Sequence, residues 1–484
     1  MSVQSILDDI GNRPGTGDVI PIINPATEEV IAEFRDGGAE AVDAAVARAR
    51  ESFTSGVWRG LPGNERAKVL WRVADLIDQH ADELAQIDSL NTGMPYFQAF
   101  MIMSTCAESF RYYAGWCTKL NGIAHDVQQT GGITGAFTNM HAYTLKEPYG
   151  VVGLIFPWNG PVFNACTKLA PALAAGCSAV VKPAEETPLS ALLLDRILTE
   201  AGVPDGVVNL VTGYGHTVGA AITAHPGVDK VAFTGSTEVG KQIIAASSGN
   251  LKRVALELGG KSPVLIYEDA EVDTAITMAA MGIFIHSGQG CISGSRIFAQ
   301  RSIYDKVVDG IANMAKSVKL GAPSEDNVLI GPIISAKQLN RVLGYIDEGR
   351  RDGVEVVAGG DRLDRSGFFV HPTVLTDVAP TARLYQQEIF GPVVAILPFD
   401  DDDEVVALAN DSEYGLAATA WTKDITRAHQ LAKRLEAGTV TLNCQMVFDH
   451  SMPFGGYKQS GWGHEWGREG IESFLKTKTV YAQL

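Results

Sequence analysis

The amino-acid sequence predicts an α/β protein organised around a parallel sheet covered by helices on both faces. Three observations carry that prediction. Between Val151 and Thr234, short runs that are apolar throughout alternate with helical patterns, which is how strands buried on both faces read. A hydrophobic content of 46%, 51 glycines and a charged content of 20% fit a large α/β enzyme and exclude a disordered chain. With 484 residues, the chain exceeds the size at which one core stops growing, so two or three domains are expected.

The leading segment carries turn signals at Asn24, Pro25 and Gly37. Glu40 to Phe53 and Glu65 to Leu90 have helical spacing, residues 91–95 break the pattern, and a third helical stretch runs from Tyr96 to Leu120. Its aromatic cluster, Phe110, Tyr112, Tyr113 and Trp116, is expected in the core. Gly131 to Glu147 turns to threonines and aromatics and reads as a β-hairpin standing outside the domain. Thr477 to Leu484 is a second β-prone segment, and two such edges invite pairing between subunits, so a homo-oligomer is expected, dimer or tetramer.

The strand runs are Val151 to Phe156, Ala179 to Val181, Val207 to Thr212 and Lys230 to Thr234, with helices between them up to Gly176 and Ala201. Ligands bind beyond the carboxyl ends of such strands. Trp158 with Asn159, Lys182 with Glu185, and Gly235 with Ser236 should therefore line one crevice. The loop Gly235 to Lys241 imitates a phosphate-binding P-loop, but Gln242 stands where that motif needs a hydroxyl for Mg²⁺. The glycines Gly213, Gly215 and Gly219 miss the dinucleotide fingerprint by one residue. Either loop alone fits an ordinary strand-to-helix turn as well as a cofactor site.

Composition narrows the partners. The formal charge of −17 repels phosphate backbones and anionic surfaces, which argues against nucleic acid or membranes as partners. Six scattered cysteines give neither a disulfide framework nor zinc spacing, the ten histidines form no metal motif, and no metal site is expected. An N-terminus with acids where a signal peptide needs positive charge leads to the expectation of a cytoplasmic protein.

The stretch Phe284 to Arg296 places Cys291 among Gly288, Gly290, Ser293 and Gly294. A thiol on such a permissive loop can act as a nucleophile, while a small buried cysteine is the alternative. Six motifs in order then become recognisable: FPWN at 156–159, KPAEETP at 182–188, FTGSTEVG at 233–240, LELGGK at 256–261, GQGC at 288–291 and EIFGPV at 388–393. With them, from about Asn24 to the C-terminus, the chain resembles the NAD(P)-dependent aldehyde dehydrogenase superfamily.

That resemblance implies an NAD-binding domain with a Rossmann-like fold over 1–125 and 149–258, an α/β catalytic domain over 259–455, and a β-hairpin oligomerisation arm over 126–148 with a tail strand over 472–484. It implies Cys291 as nucleophile, forming a thiohemiacetal and then a thioester, Asn159 as an oxyanion donor, and Glu257 as the base that activates water. Glu257 lies between Leu256 and Leu258, an apolar setting that raises a carboxyl pKa, although structural pairing with a base is the alternative. Lys168 and Glu465 match positions proposed to relay the proton.

For NAD, Lys182 and Glu185 match the residues that hold the adenosine ribose, and Glu388 with Phe390 the nicotinamide ribose. Ile155, Phe156, Trp158, Gly215, Gly235, Ser236, Gly240, Leu258 and Gly259 are further implied cofactor contacts. Glu185 repels a 2′-phosphate, so NADP is disfavoured though still open through Lys182. The aldehyde channel is expected at Trp116, Gly160, Phe163, Asn164, Thr167, Ile285, Ile292, Met446 and Phe448. These are mostly apolar and include no cation, which points to an aromatic, terpenoid or long aliphatic aldehyde. A CoA-acylating enzyme and a non-catalytic protein of the same fold are the alternatives. The first should lack a glutamate at 257, the second should have lost Cys291, Glu257 or Asn159.

Overall fold

The structure is a computed structural model and describes residues 3–13, 15–125 and 140–483. Two sheets dominate it. The first runs in the order Gly461–Trp462, Arg253–Glu257, Lys230–Thr234, Val151–Ile155, Ser178–Lys182 and Val208–Leu210. Its strands are parallel except the edge strand Gly461–Trp462, which pairs antiparallel with Arg253–Glu257 and sets Gly461 opposite Glu257. All four expected strand runs are present in it. Every residue of Val151–Ile155 and of Ser178–Lys182 is buried, as apolar runs covered on both faces require.

The second sheet has seven strands in the order Glu355–Ala358, Thr373–Thr376, Val393–Phe399, Arg296–Gln300, Pro263–Ile266, Ala417–Trp421 and Thr439–Leu442. Only the first pair is antiparallel. Apolar side chains fill both faces, with Leu265, Phe298 and Tyr385 on one and Val264, Ile297 and Phe284 on the other. A third, three-stranded sheet pairs Met140–Pro148 with the tail Leu475–Gln483 along its whole length, from Leu475 opposite Pro148 to Gln483 opposite Met140. The tail thus joins the arm within one chain. The 126–139 part of the expected hairpin lies outside the described residues.

Two helical expectations need correction. Glu65 to Leu90 is two helices, Gly63–Gln79 and Ala81–Thr92, which meet at His80 (φ −105°, ψ 18°). Hydrogen bonds continue across the junction, His80 N–H to Leu76 and Leu84 N–H to His80, so the apolar spacing shows no gap. The third helix, Tyr96–Ala114, stops short of Leu120. Of its aromatic cluster, Phe110 and Tyr113 are fully buried, whereas Tyr112 and Trp116 are half-buried and pack edge to face on one another. No helix among the described residues is long and apolar enough to cross a membrane.

Candidate functional site

A cavity of about 610 Å³ opens where strand ends of the two sheets face each other. The first sheet supplies Trp158 and Asn159 after Val151–Ile155, Gly235 and Ser236 after Lys230–Thr234, and Leu258 and Gly259 after Arg253–Glu257. The loops that enter Arg296–Gln300 and Val393–Phe399 supply Cys291, Ile292, Glu388 and Phe390. Gly160, Phe163, Asn164, Ile285, Met446 and Phe448 complete the part of the wall expected from sequence. A Cβ on Gly160 would meet nothing closer than 3.4 Å, so the wall there is open.

The loop before Cys291 is held rigidly. After the helix Val272–Phe284 the backbone passes through three left-handed residues, His286 (φ 51°), Ser287 (φ 57°) and Gly288 (φ 69°). A side chain on Gly288 would fall 2.1 Å from the Gly391 carbonyl oxygen, so this approach needs glycine. Ser287 Oγ donates to the Gly331 carbonyl at 2.7 Å, and the buried Gln289 accepts from Ile334 N–H at 2.9 Å. Asn159 Nδ2 donates to the Gln289 carbonyl at 2.8 Å, two residues before the thiol.

Cys291 is partly exposed to the cavity. Burial, and then the negative charges of Glu388 and Glu257, push its thiol up to about 12. Glu257 stands behind the wall, 5% exposed, with Oε2 free of any hydrogen bond, and burial followed by the charge of Glu465 raises its carboxyl well above the ordinary range. Glu465 forms an ion pair with the buried Lys168, whose Nζ also donates to Thr234 Oγ1 at 2.7 Å.

Lys182, Glu185 and Gly215, expected at the same crevice, do not line the cavity and form a group of their own. Lys182 Nζ is 3.1 Å from Glu185, and Gly215 N–H points at the other oxygen of that carboxylate at 3.4 Å. Glu388 accepts from Gly260 N–H at 3.0 Å, and burial raises its carboxyl to about 7. Phe390 takes a positive φ of 61° and packs edge to face on Trp158 at 5.2 Å.

Some expected residues do not reach the cavity. Ile155 and Phe156 are buried beneath it, and Gly240 serves packing, because a Cβ there would come 2.8 Å from both methyls of Leu258. Thr167 is 2% exposed, and Trp116 packs against Tyr112 away from the cavity wall. Conversely, Met94, Gln98, Ile102, Lys337, Gln338 and Arg341 line the cavity without having been foreseen. Gln338 Nε2 donates to the Phe390 carbonyl at 2.9 Å, and Arg341 donates to the Glu388 carbonyl at 2.8 Å. Both stand on one face of the helix Ala336–Arg351, three residues apart, but no local motif marks which face meets the site.

Two largely parallel sheets whose strand ends share a cavity, with a thiol on one wall and glycine-rich turns on the other, are the build of a two-sheet α/β enzyme. The chain belongs to the aldehyde dehydrogenase family, an oxidoreductase family whose model matches residues 13–480. It is 44% identical to retinal dehydrogenase 2 of Homo sapiens over 472 residues, 97% of this chain and 89% of that one. It is 45% identical to the mitochondrial aldehyde dehydrogenase of Rattus norvegicus over 463 residues, 95% and 88% of the two chains. Among solved structures, the NAD+ complex of an aldehyde dehydrogenase from Bacillus cereus superposes with a TM-score of 0.94 at 44% identity, covering 99% of this chain and 98% of that one.

Proposed function

We propose that this protein oxidises an apolar aldehyde, aromatic, terpenoid or long aliphatic, to the carboxylic acid, with NAD+ as hydride acceptor and water as acyl acceptor. The observation that carries this reading is the convergence of Cys291 and Asn159 on one cavity, with the buried Glu257 behind it. Cys291 gives up its proton to water in the cavity, and its thiolate sulfur attacks the aldehyde carbon as the C=O π bond opens onto oxygen. The oxygen of the resulting thiohemiacetal is met by the Asn159 amide, a donor of the kind that contributes about 3 kcal/mol to a developing oxyanion. Loss of hydride leaves a thioester on Cys291. Glu257 takes a proton from water, which attacks the acyl carbon, breaks the C–S bond and frees the acid. Lys168 and Glu465 relay the proton onward.

The residues present fit a dinucleotide. The helix Thr237–Ser247 opens on Ser236 beside the cavity, and Gly259 leaves space where a Cβ would come 2.5 Å from the Glu388 carboxylate. Glu388 would hold the nicotinamide ribose, and Lys182 with Glu185 the adenosine ribose. Bound there, NAD+ supplies the hydride acceptor. The Glu185 carboxylate favours NAD over NADP, because it accepts from ribose hydroxyls and repels a 2′-phosphate.

The two sheets support a division into 1–125 and 149–258 for the cofactor, 259–455 for catalysis, and 126–148 with 472–484 as arm and tail, with the edge strand Gly461–Trp462 of the first sheet falling outside these ranges. Among the described residues no strand pairs beyond Thr439–Leu442 in the second sheet, and the tail strand is mostly exposed, which supports a dimer or tetramer.

A panel of aldehydes assayed by NADH formation, with and without CoA, tests the reading. Apolar aldehydes should give the best kcat/KM, CoA should add nothing, and Cys291→Ala should abolish oxidation while NAD+ binding stays. Best turnover of succinate semialdehyde or betaine aldehyde by a wide margin, or a CoA requirement, would overturn it.

A further inference from the structure

Trp466 holds a backbone conformation that a bulky residue rarely takes. Its φ of 58° with ψ of −177° lies in a region occupied almost solely by glycine. Packing holds it there. The side chain is 5% exposed, and its ring meets Phe163 at 5.9 Å, Phe448 at 5.4 Å and Phe454 at 5.4 Å. Phe163 and Phe448 are also walls of the cavity. The backbone that follows is tied by Gly467 N–H to the His450 carbonyl at 2.8 Å and Gly470 N–H to the Trp466 carbonyl at 2.7 Å.

The residue immediately before it is Glu465, the partner of Lys168. Glu465 exchanges both of its backbone hydrogen bonds with Phe454, each 2.8 Å long. A ring packed on two cavity walls and the carboxylate paired with Lys168 therefore belong to neighbouring residues on one strained turn.

We propose that Trp466 is a positioning residue that fixes the Glu465 carboxylate on Lys168 and, through Phe163 and Phe448, makes that placement depend on what fills the cavity. The inference rests on the reading that Glu465 and Lys168 carry the proton taken by Glu257. A strained turn relaxes when its packing is removed, and the residue adjoining Trp466, which moves with it, is Glu465. A cavity filled by a long aldehyde presses on Phe163 and Phe448 and keeps the turn in place, whereas a short one leaves them free.

The test is a single-turnover experiment on the full chain with NAD+, using decanal and propanal. Stopped-flow absorbance follows NADH formation, and rapid quench follows release of the acid. Trp466→Leu and Trp466→Gly should form NADH at the wild-type rate but release acid about tenfold to a hundredfold more slowly. The wild-type advantage of decanal over propanal in acid release should disappear, the pH profile of acid release should shift, and Trp466→Phe should restore most of the rate. Lost stability with unchanged acid release and an unchanged pH profile would overturn the proposal. Should neither variant fold, Phe454→Leu decides, since it removes a buttress outside the cavity wall: slowed acid release supports the proposal, wild-type release overturns it. Glu465→Gln separates the two ideas. Wild-type acid release in that variant overturns the underlying reading, whereas slow release there with unaffected Trp466 variants overturns this proposal alone.

Discussion

Cys291 and Glu257 are both pushed toward their uncharged forms, and for the same reason. Glu257 is buried, Cys291 is partly covered at the cavity wall, and each faces carboxylates, Glu388 and Glu257 for the thiol and Glu465 for the acid. Desolvation and like charge then act in one direction, against ionisation. A base must be ionised to take a proton from water, so acid release should fall as the pH drops through a limb well above the ordinary carboxylate range. That limb should be absent in Glu257→Gln, which should still form the thioester but hydrolyse it on the order of a hundredfold or more slowly, in keeping with the usual size of general-base catalysis. Rapid-quench measurement of acid release from pH 5 to 9 checks this; a limb near pH 4 that survives the substitution would remove Glu257 from the role.

At the scale of elements, the helices behind the site carry a titratable group that the chemistry does not use. Asp88, on Ala81–Thr92, is 4% exposed with Oδ1 unpaired, and burial raises its carboxyl to about 7, although the nearby Ser190 hydroxyl and Val162 N–H pull the other way. The folded chain holds a proton there that the unfolded chain releases near pH 4. This group therefore favours the fold fully below about pH 4, and that advantage is lost as pH rises through about 7. Above pH 7 its burial as a charge costs on the order of 4 kcal/mol. Asp88→Asn should raise the melting temperature at pH 8 and leave it unchanged at pH 4, by calorimetry across that range. The same helices show what periodicity conceals: the turn at His80 breaks the direction of the chain without breaking its apolar spacing.

For the whole molecule, the tail strand Leu475–Gln483 is mostly exposed although it pairs fully with Met140–Pro148. A strand that buries little of itself in its own chain is stable as part of a larger sheet. Removing residues 475–484 should lower the molar mass in solution by at least a factor of two, by light scattering after gel filtration, while the cavity residues stay in place; an unchanged mass would overturn the role given to the arm.

The amino-acid sequence by itself determined the α/β class, the strands from Val151 to Thr234, and the grouping of Trp158, Asn159, Gly235 and Ser236 at one crevice, since a strand buried on both faces must be apolar throughout and its end must meet the ligand. The resemblance to the aldehyde dehydrogenase superfamily singled out Cys291, Glu257 and Glu388, because each stands in one of the motifs that carry it. Only the tertiary structure decided which faces of distant helices close the cavity. It brought Gln98, Gln338 and Arg341 in, left Trp116 and Thr167 outside, and set Trp466 against Phe163 and Phe448. Helical periodicity tells which side of an element is apolar, but the partner that covers that side is chosen by packing between segments hundreds of residues apart.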